Sequence, residues 1–182
     1  MATLKQVNRF YKKKKEIPEI VLSKTGNKEI IYGARAINKQ VPMHLRKKTD
    51  DYDIFSKTPK KDALETERAL DKKFGGNYFE TKPAIHPGTY KVISRIDKVG
   101  YADYTIPDKK IPFKVINKKK YVDMEYVKKH IKQTLKDPEA KFRHAKDTDA
   151  LNRIKLAEKL KRKKRVTPKQ RFRKDMNRLF KF

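Results

Sequence analysis

Three aspartates stand within four positions in R-K-K-T-D-D-Y-D-I-F-S, residues 46–56 of a 182-residue chain. The apolar residues that follow them mark the stretch as β-like. On a strand, side chains at i and i+2 share a face, so Asp51 and Asp53 lie together and Asp50 points the other way. Two carboxylates held so close raise each other's proton affinity unless a cation sits between them. That cost makes a divalent metal worth considering. Upstream, I-I-Y-G-A-R places Gly33 between an apolar strand and a helix. Such a turn lets the backbone approach a phosphate, whose charge meets free N–H groups at the helix start. Downstream, Y-A-D-Y-T carries Asp103 alone in a second strand-like segment. Two strand carboxylates, a third on another strand and a glycine turn suit two divalent ions and a triphosphate. In a two-metal site one ion activates the attacking oxygen and the other stabilises the leaving phosphate. Asp97 competes with Asp103 for the third position, but R-I-D runs straight into a turn.

The elements that must hold these residues are readable in outline. E-I-P-E-I-V-L and K-E-I-I-Y, divided by Thr25-Gly26-Asn27, read as strands or extended segments around a turn. A-R-A-I-N-K-Q reads as a short helix stopping near Pro42, and D-Y-D-I-F as a strand. Thr58-Pro59 starts a helix, with Thr58 at the N-cap and Pro59 at the first position. Ala63, Leu64, Leu70 and Phe74 supply its apolar contacts, and Gly75-Gly76 ends it. N-Y-F-E-T-K-P, G-T-Y-K-V-I-S-R-I and G-Y-A-D-Y-T-I follow as strands. Phe113 to Ile116 and Tyr121-Val122 form a small hairpin around Asn117. Met124, Val127, Ile131 and Leu135 keep helical spacing up to Pro138. A further helix covers about 142–164, and a third short one follows Thr167-Pro168. The fold class is α+β, a mixed sheet followed by a helical tail.

Composition bounds the partners. Net charge is +28, placed unevenly: residues 1–15 hold +6 and residues 151–182 hold +12. A more balanced middle between basic ends suggests a folded body with arms for polyanions, RNA or DNA foremost. Lys161, Arg162, Lys163, Lys164, Arg165, Arg171 and Arg173 are the candidate nucleic-acid contacts. Phe172, Leu179, Phe180 and Phe182 stand among those bases and leave open docking of the tail on a protein partner. The divisions expected are a basic arm (1–15), a core (16–122), C-terminal helices packing on the core (123–160) and a basic tail (161–182). There is no cysteine, which excludes disulfides and cysteine-based zinc sites or nucleophiles. His44, His86, His130 and His144 show no metal-binding spacing. No apolar run approaches the roughly 20 residues that span a bilayer. An intracellular, cytoplasmic protein is expected, and a viral particle would also fit.

The stretch Y-G-A-R-A-I-N-K-Q-V-P-M-H-L-R-K-K-T-D-D-Y-D-I-F resembles the signature of the DNA polymerase beta-like nucleotidyltransferases. That signature is an apolar strand, a glycine turn, a helix, then a strand bearing D-x-D. Arg46 through Asp53 is similar to the R-x-T-x-D-x-D of toxin and abortive-infection nucleotidyltransferases, and F-R-H-A-K-D-T-D-A-L-N-R-I-K-L resembles their K-D-x-x-D-L helix. Y-G-A-R-A, D-D-Y-D-I-F-S-K and K-F-R-H-A-K-D also resemble poly(A)-polymerase-type nucleotidyltransferases of large DNA viruses. The likeness covers roughly residues 28–156. It implies that Asp51, Asp53 and Asp103 bind two Mg²⁺ or Mn²⁺ ions, with Asp103 helping to activate an acceptor hydroxyl. It implies that Gly33 and the Ala34 amide face the phosphates of an NTP, that Lys146 reaches the triphosphate and that Arg143 assists. The family motif has Gly-Gly or Gly-Ser, and Gly33-Ala34 lacks that hydroxyl; Arg35 is the candidate replacement. The activity implied is transfer of a nucleoside monophosphate to a hydroxyl, foremost an RNA 3′ end. The alternative is an inactive nucleotidyltransferase fold serving as a basic nucleic-acid-binding or virion protein.

Overall fold

The computed structural model describes residues 3–165, with side chains through residue 162. The chain divides into two compact units. The first runs through Gln40 and resumes over Lys47–Val127; the second comprises Val41–Arg46 and the residues from Lys128 onward.

The first unit is built on a seven-stranded mixed sheet. Its strands are β1 (Ile30–Tyr32), β2 (Tyr52–Phe55), β3 (Phe79–Pro83), β4 (Thr89–Ser94), β5 (Gly100–Thr105), β6 (Phe113–Ile116) and β7 (Lys119–Val122). Their spatial order is β3-β4-β5-β2-β1-β7-β6. The β2–β5 and β1–β7 pairs are parallel and the remaining pairs antiparallel. The hairpin between β6 and β7 turns at Asn117 and Lys118, both at positive φ. Alternation divides the sheet into two faces. Ile31, Tyr52, Ile54, Val92, Ala102, Tyr104 and Tyr121 enter one apolar core with residues from the helices α1 (Leu4–Lys13), α2 (Ile17–Lys24), α3 (Gly33–Gln40) and α4 (Pro59–Phe74). The intervening positions, Asp53 and Asp103 among them, lie on the opposite, half-buried face.

Two sequence expectations need correction. E-I-P-E-I-V-L is not extended: it forms α2, with Pro18 in the first turn, where its missing N–H costs no helix hydrogen bond. Within the expected basic arm, residues 1–15, the described part forms the helix α1 (Leu4–Lys13), docked by its apolar face rather than extended as a free tail. A capping box between Thr3 and Gln6 starts α1, and Phe10 is fully buried in the core. Phe10, Ile17 and Val21 recur at helical spacing across α1 and α2, and all three are fully buried. The lysines between them fasten the segment. Lys13 donates to the Lys73 carbonyl at 2.8 Å, and Lys14 pairs with Asp97 at 2.9 Å. Lys73 returns a pair to Glu16 at 2.9 Å.

The second unit contains the later turns of α5 (Met124–Thr134), a 3-10 segment over Pro138–Arg143 and α6 (His144–Arg165). Ala150, Leu151, Ile154 and Ala157 make the buried stripe of α6, as i, i+3 and i+4 spacing requires. Lys128 pairs with Glu158 at 2.6 Å. The helix expected after Thr167-Pro168, with Arg171, Arg173 and the tail aromatics, lies outside the described residues. Of Lys163, Lys164 and Arg165 only the backbone is described, while Lys161 and Arg162 are exposed. Among the described residues no helix is long and apolar enough to cross a membrane.

Candidate active site

Strand register brings the predicted acids together. β2 and β5 run parallel with Asp53 directly opposite Asp103, which sets their Cα atoms about 4.8 Å apart. Tyr52 and Ile54 face the core, so Asp51, Asp53 and Phe55 share the other face. Asp51 immediately precedes β2 and accepts a short hydrogen bond from the Thr49 hydroxyl. Asp50 is exposed, as expected for an acid that points away from the pair.

Gly33 is fitted to Asp53. It has φ +60°, where an L side chain is disfavoured, and it joins β1 directly to α3. A Cβ at this position would lie 1.9 Å from Asp53 Oδ2 and 2.8 Å from its Cγ. The carboxylate therefore rests over the glycine itself, at the start of a helix whose dipole favours negative charge. Arg35, in the first turn of α3, contacts the segment that carries the acids. Its Nε donates to the Asp51 carbonyl at 3.0 Å, and its guanidinium stacks 4.2 Å from the Tyr52 ring centroid. In this arrangement Arg35 braces the segment that carries the two acids.

One row of cross-strand partners runs through the centre: Lys82, Lys91, Asp103, Asp53 and Tyr32. Lys91 Nζ meets Asp103 Oδ2 at 2.9 Å, with the lysine side chain 42% exposed. The adjoining row is tied by hydroxyls, since Thr105 Oγ1 lies 3.1 Å from both Tyr32 OH and Thr89 Oγ1. The Tyr32 and Phe55 rings stack at 4.0 Å. Sequence reading missed Lys91, Thr49 and this aromatic pair. Alternation does place Lys91 on the face opposite Val92, but the residue it meets depends on register, which a single strand does not reveal.

Asp97 is held elsewhere, in the β4–β5 connection. Lys14 pairs with it, Tyr101 OH donates to it at 2.7 Å and the Val99 amide at 3.2 Å. Burial alone would raise the Asp97 carboxyl, but these hydrogen bonds outweigh it and hold the group below the ordinary carboxylate range. Burial, and then the bond to Asp97, push the Tyr101 hydroxyl up. This acid is a structural anchor for α1. Tyr78, Phe79, Tyr101 and Tyr104 are buried core residues, and Tyr90 is half-buried.

Arg143 and Lys146 belong to the second unit. Arg143 lies 3.7 Å from Asp147, a buried acid of α6, and Lys146 is exposed. His144 Nε2 lies 3.0 Å from the Thr134 and Asp137 carbonyls.

The acids supply hard oxygen donors, which suit Mg²⁺ or Mn²⁺ better than softer metals. The registered Asp53–Asp103 pair fits such an ion on the open face. Among the described residues no three acidic or histidine side chains converge as a finished metal cage. Asp103 meets Lys91 and Asp51 meets Thr49 instead.

Residues 19–138 match the family described as "Poly(A) polymerase catalytic subunit". No curated protein matches the chain. Among solved structures, the Megavirus polyadenylate synthase superposes with a TM-score of 0.70 at 21% sequence identity, covering 81% of this chain. The chain spans 32% of the length of that protein. The matched segment contains β1 through α5, and with them Gly33, Asp51, Asp53 and Asp103.

Proposed function

Since the chain belongs to the poly(A) polymerase catalytic subunit family, we propose that it is a metal-dependent nucleotidyltransferase that adds nucleoside monophosphates to an RNA 3′ end. The observation that carries this reading is Asp53 paired in register with Asp103 and seated over Gly33. The acceptor oxygen attacks the α-phosphorus of the NTP, the α–β bridging bond breaks and pyrophosphate leaves. Catalysis of this kind is mostly positioning and charge stabilisation.

Asp53 and Asp103, joined by Asp51, would hold divalent ions that neutralise the triphosphate and lower the pKa of the acceptor hydroxyl. Gly33 and the Ala34 amide face the phosphates at the start of α3. Arg35 keeps the Asp51 backbone fixed and so sets the pitch of the D-x-D pair. Asp103, on the strand beyond, takes the acceptor side and receives its proton. ATP is the expected donor, and the basic C-terminal residues hold the RNA body.

Extension of a labelled RNA with each NTP separately, in Mg²⁺ and in Mn²⁺, tests the proposal. A ladder of products with release of pyrophosphate is expected. No extension with any NTP in either metal, by protein whose melting temperature those ligands do not raise, would remove the enzyme reading. It would leave a nucleotidyltransferase fold used for binding.

A further inference from the structure

The geometry points to Lys91 as the residue that grips the last internucleotide phosphate of the acceptor strand, an inference that rests on the nucleotidyl-transfer reading. The order of elements across the sheet carries it. Gly33 and α3 lie at the β1 end of the site, Asp53 and Asp103 lie in the middle, and Lys91 lies beyond them on β4. Three strand spacings, about 14 Å, separate β4 from β1. The phosphates of the NTP belong to the Gly33 end. In-line displacement sets the attacking and leaving oxygens on opposite sides of the reacting phosphorus. The acceptor hydroxyl therefore comes from the Asp103 side, and the strand bearing it crosses β4.

The first anion behind a 3′-hydroxyl is the phosphodiester that joins the terminal nucleoside to its neighbour. Lys91 is placed to meet it. Its ammonium group touches Asp103, the acid nearest the acceptor, and its side chain is 42% exposed. The neighbouring cations are engaged differently. Lys82 and Arg95 both pair with Glu80, at 2.6 and 3.0 Å, an acid that has no part in the chemistry. The partner of Lys91 is instead an acid that substrate assembly draws toward the acceptor oxygen. As Asp103 is taken up there, the Lys91 ammonium keeps its place on the sheet and exchanges a carboxylate for a phosphate. The flexible four-carbon stem of lysine allows the small reorientation this needs.

The test uses two RNA trinucleotide acceptors of equal length. One has ordinary linkages. The other has an uncharged methylphosphonate at the last linkage. In the wild-type protein the neutral linkage should raise the acceptor KM about tenfold, the loss of one charge-assisted hydrogen bond. K91M should raise the KM of the ordinary acceptor to a similar level and add little for the methylphosphonate. The two changes are then non-additive, as for groups in contact. The KM for NTP should stay unchanged, and K91R should recover most of the acceptor affinity. Equal acceptor KM values in the wild-type protein would overturn the inference whether or not any variant folds. So would a K91M effect confined to kcat and equal for both acceptors, which would mark Lys91 as a positioning residue for Asp103. A wild-type protein that extends neither acceptor fails at the earlier step, and the functional reading falls with the inference.

Discussion

Gly33 answers two demands at one position: a left-handed backbone between β1 and α3, and room for the Asp53 carboxylate. Gly33→Ala should therefore abolish transfer and lower stability by more than the roughly 1–2 kcal/mol of the backbone term alone. In an Asp53→Ala background the same change should cost less, close to that backbone term, because the contacts with Oδ2 and Cγ are gone and only a tight 3.3 Å approach to the Cβ of residue 53 remains. Thermal or urea denaturation of the four proteins checks this, and equal costs in both backgrounds would remove the close contact from the account. The D-x-D pair and the glycine were legible in sequence because alternation and turn chemistry are local. Lys91 was not, because its partner is set by the register between β4 and β5. Arg35 was read as a phosphate contact, yet its nearest neighbours are Tyr52 and the Asp51 carbonyl. Stacking of a helix residue on a ring from β2 leaves no mark on the spacing around Arg35 itself.

Among the elements, α1 shows how a charge run conceals a helix. Lysine is a good helix former, and charge alone does not separate a free arm from a docked helix with lysines outward. The signal was present in the spacing of Phe10, Ile17 and Val21, but the lysine run between them drew the reading toward an arm. Phe10 is fully buried against Phe74, Tyr78 and Phe79. Phe10→Ala should then destabilise the protein by about 3–5 kcal/mol, readable as a lower urea midpoint; a change under about 0.5 kcal/mol would restore the arm. The Lys14–Asp97 pair gives α1 a pH dependence. Asp97 has a folded pKa below its unfolded value, despite its burial, because Lys14, Tyr101, Val99 and Ser94 bond to the carboxylate. Its contribution is therefore present above the unfolded value of about 3.9 and is lost as pH falls through the folded pKa. Asp97→Asn should flatten the acid limb of a stability–pH curve relative to wild type, and parallel curves would show that the pair contributes nothing. The positions of β3, β4 and β5 were legible from their β-branched and aromatic content and the turns between them, although burial along them does not alternate strictly and the β4–β5 register shifts between Val92 and Ile93.

For the whole molecule, net charge is the dominant sequence feature, and its densest stretch lies in the C-terminal residues. Residues 151–182 hold +12. If about five RNA phosphates are neutralised, the log–log salt dependence of binding should have a slope of roughly −3.5 on a single strand. Deleting residues 161–182 should flatten that slope and weaken binding while leaving NTP-dependent stabilisation intact. Equal slopes would assign the tail, with Phe172, Leu179, Phe180 and Phe182, to a protein partner. The mixed sheet and the helices that follow it were legible at this scale, because hydrophobic spacing changes from strand-like to helical after Asp123. The central claim is that Asp53 and Asp103 form one catalytic centre, and single-turnover RNA extension by the wild type, Asp53→Asn and Asp103→Asn tests it most directly. The account predicts a product ladder from the wild type and a rate loss of at least about a thousandfold from each variant, with melting temperatures close to the wild-type value. Extension at near wild-type rates by either variant would contradict it.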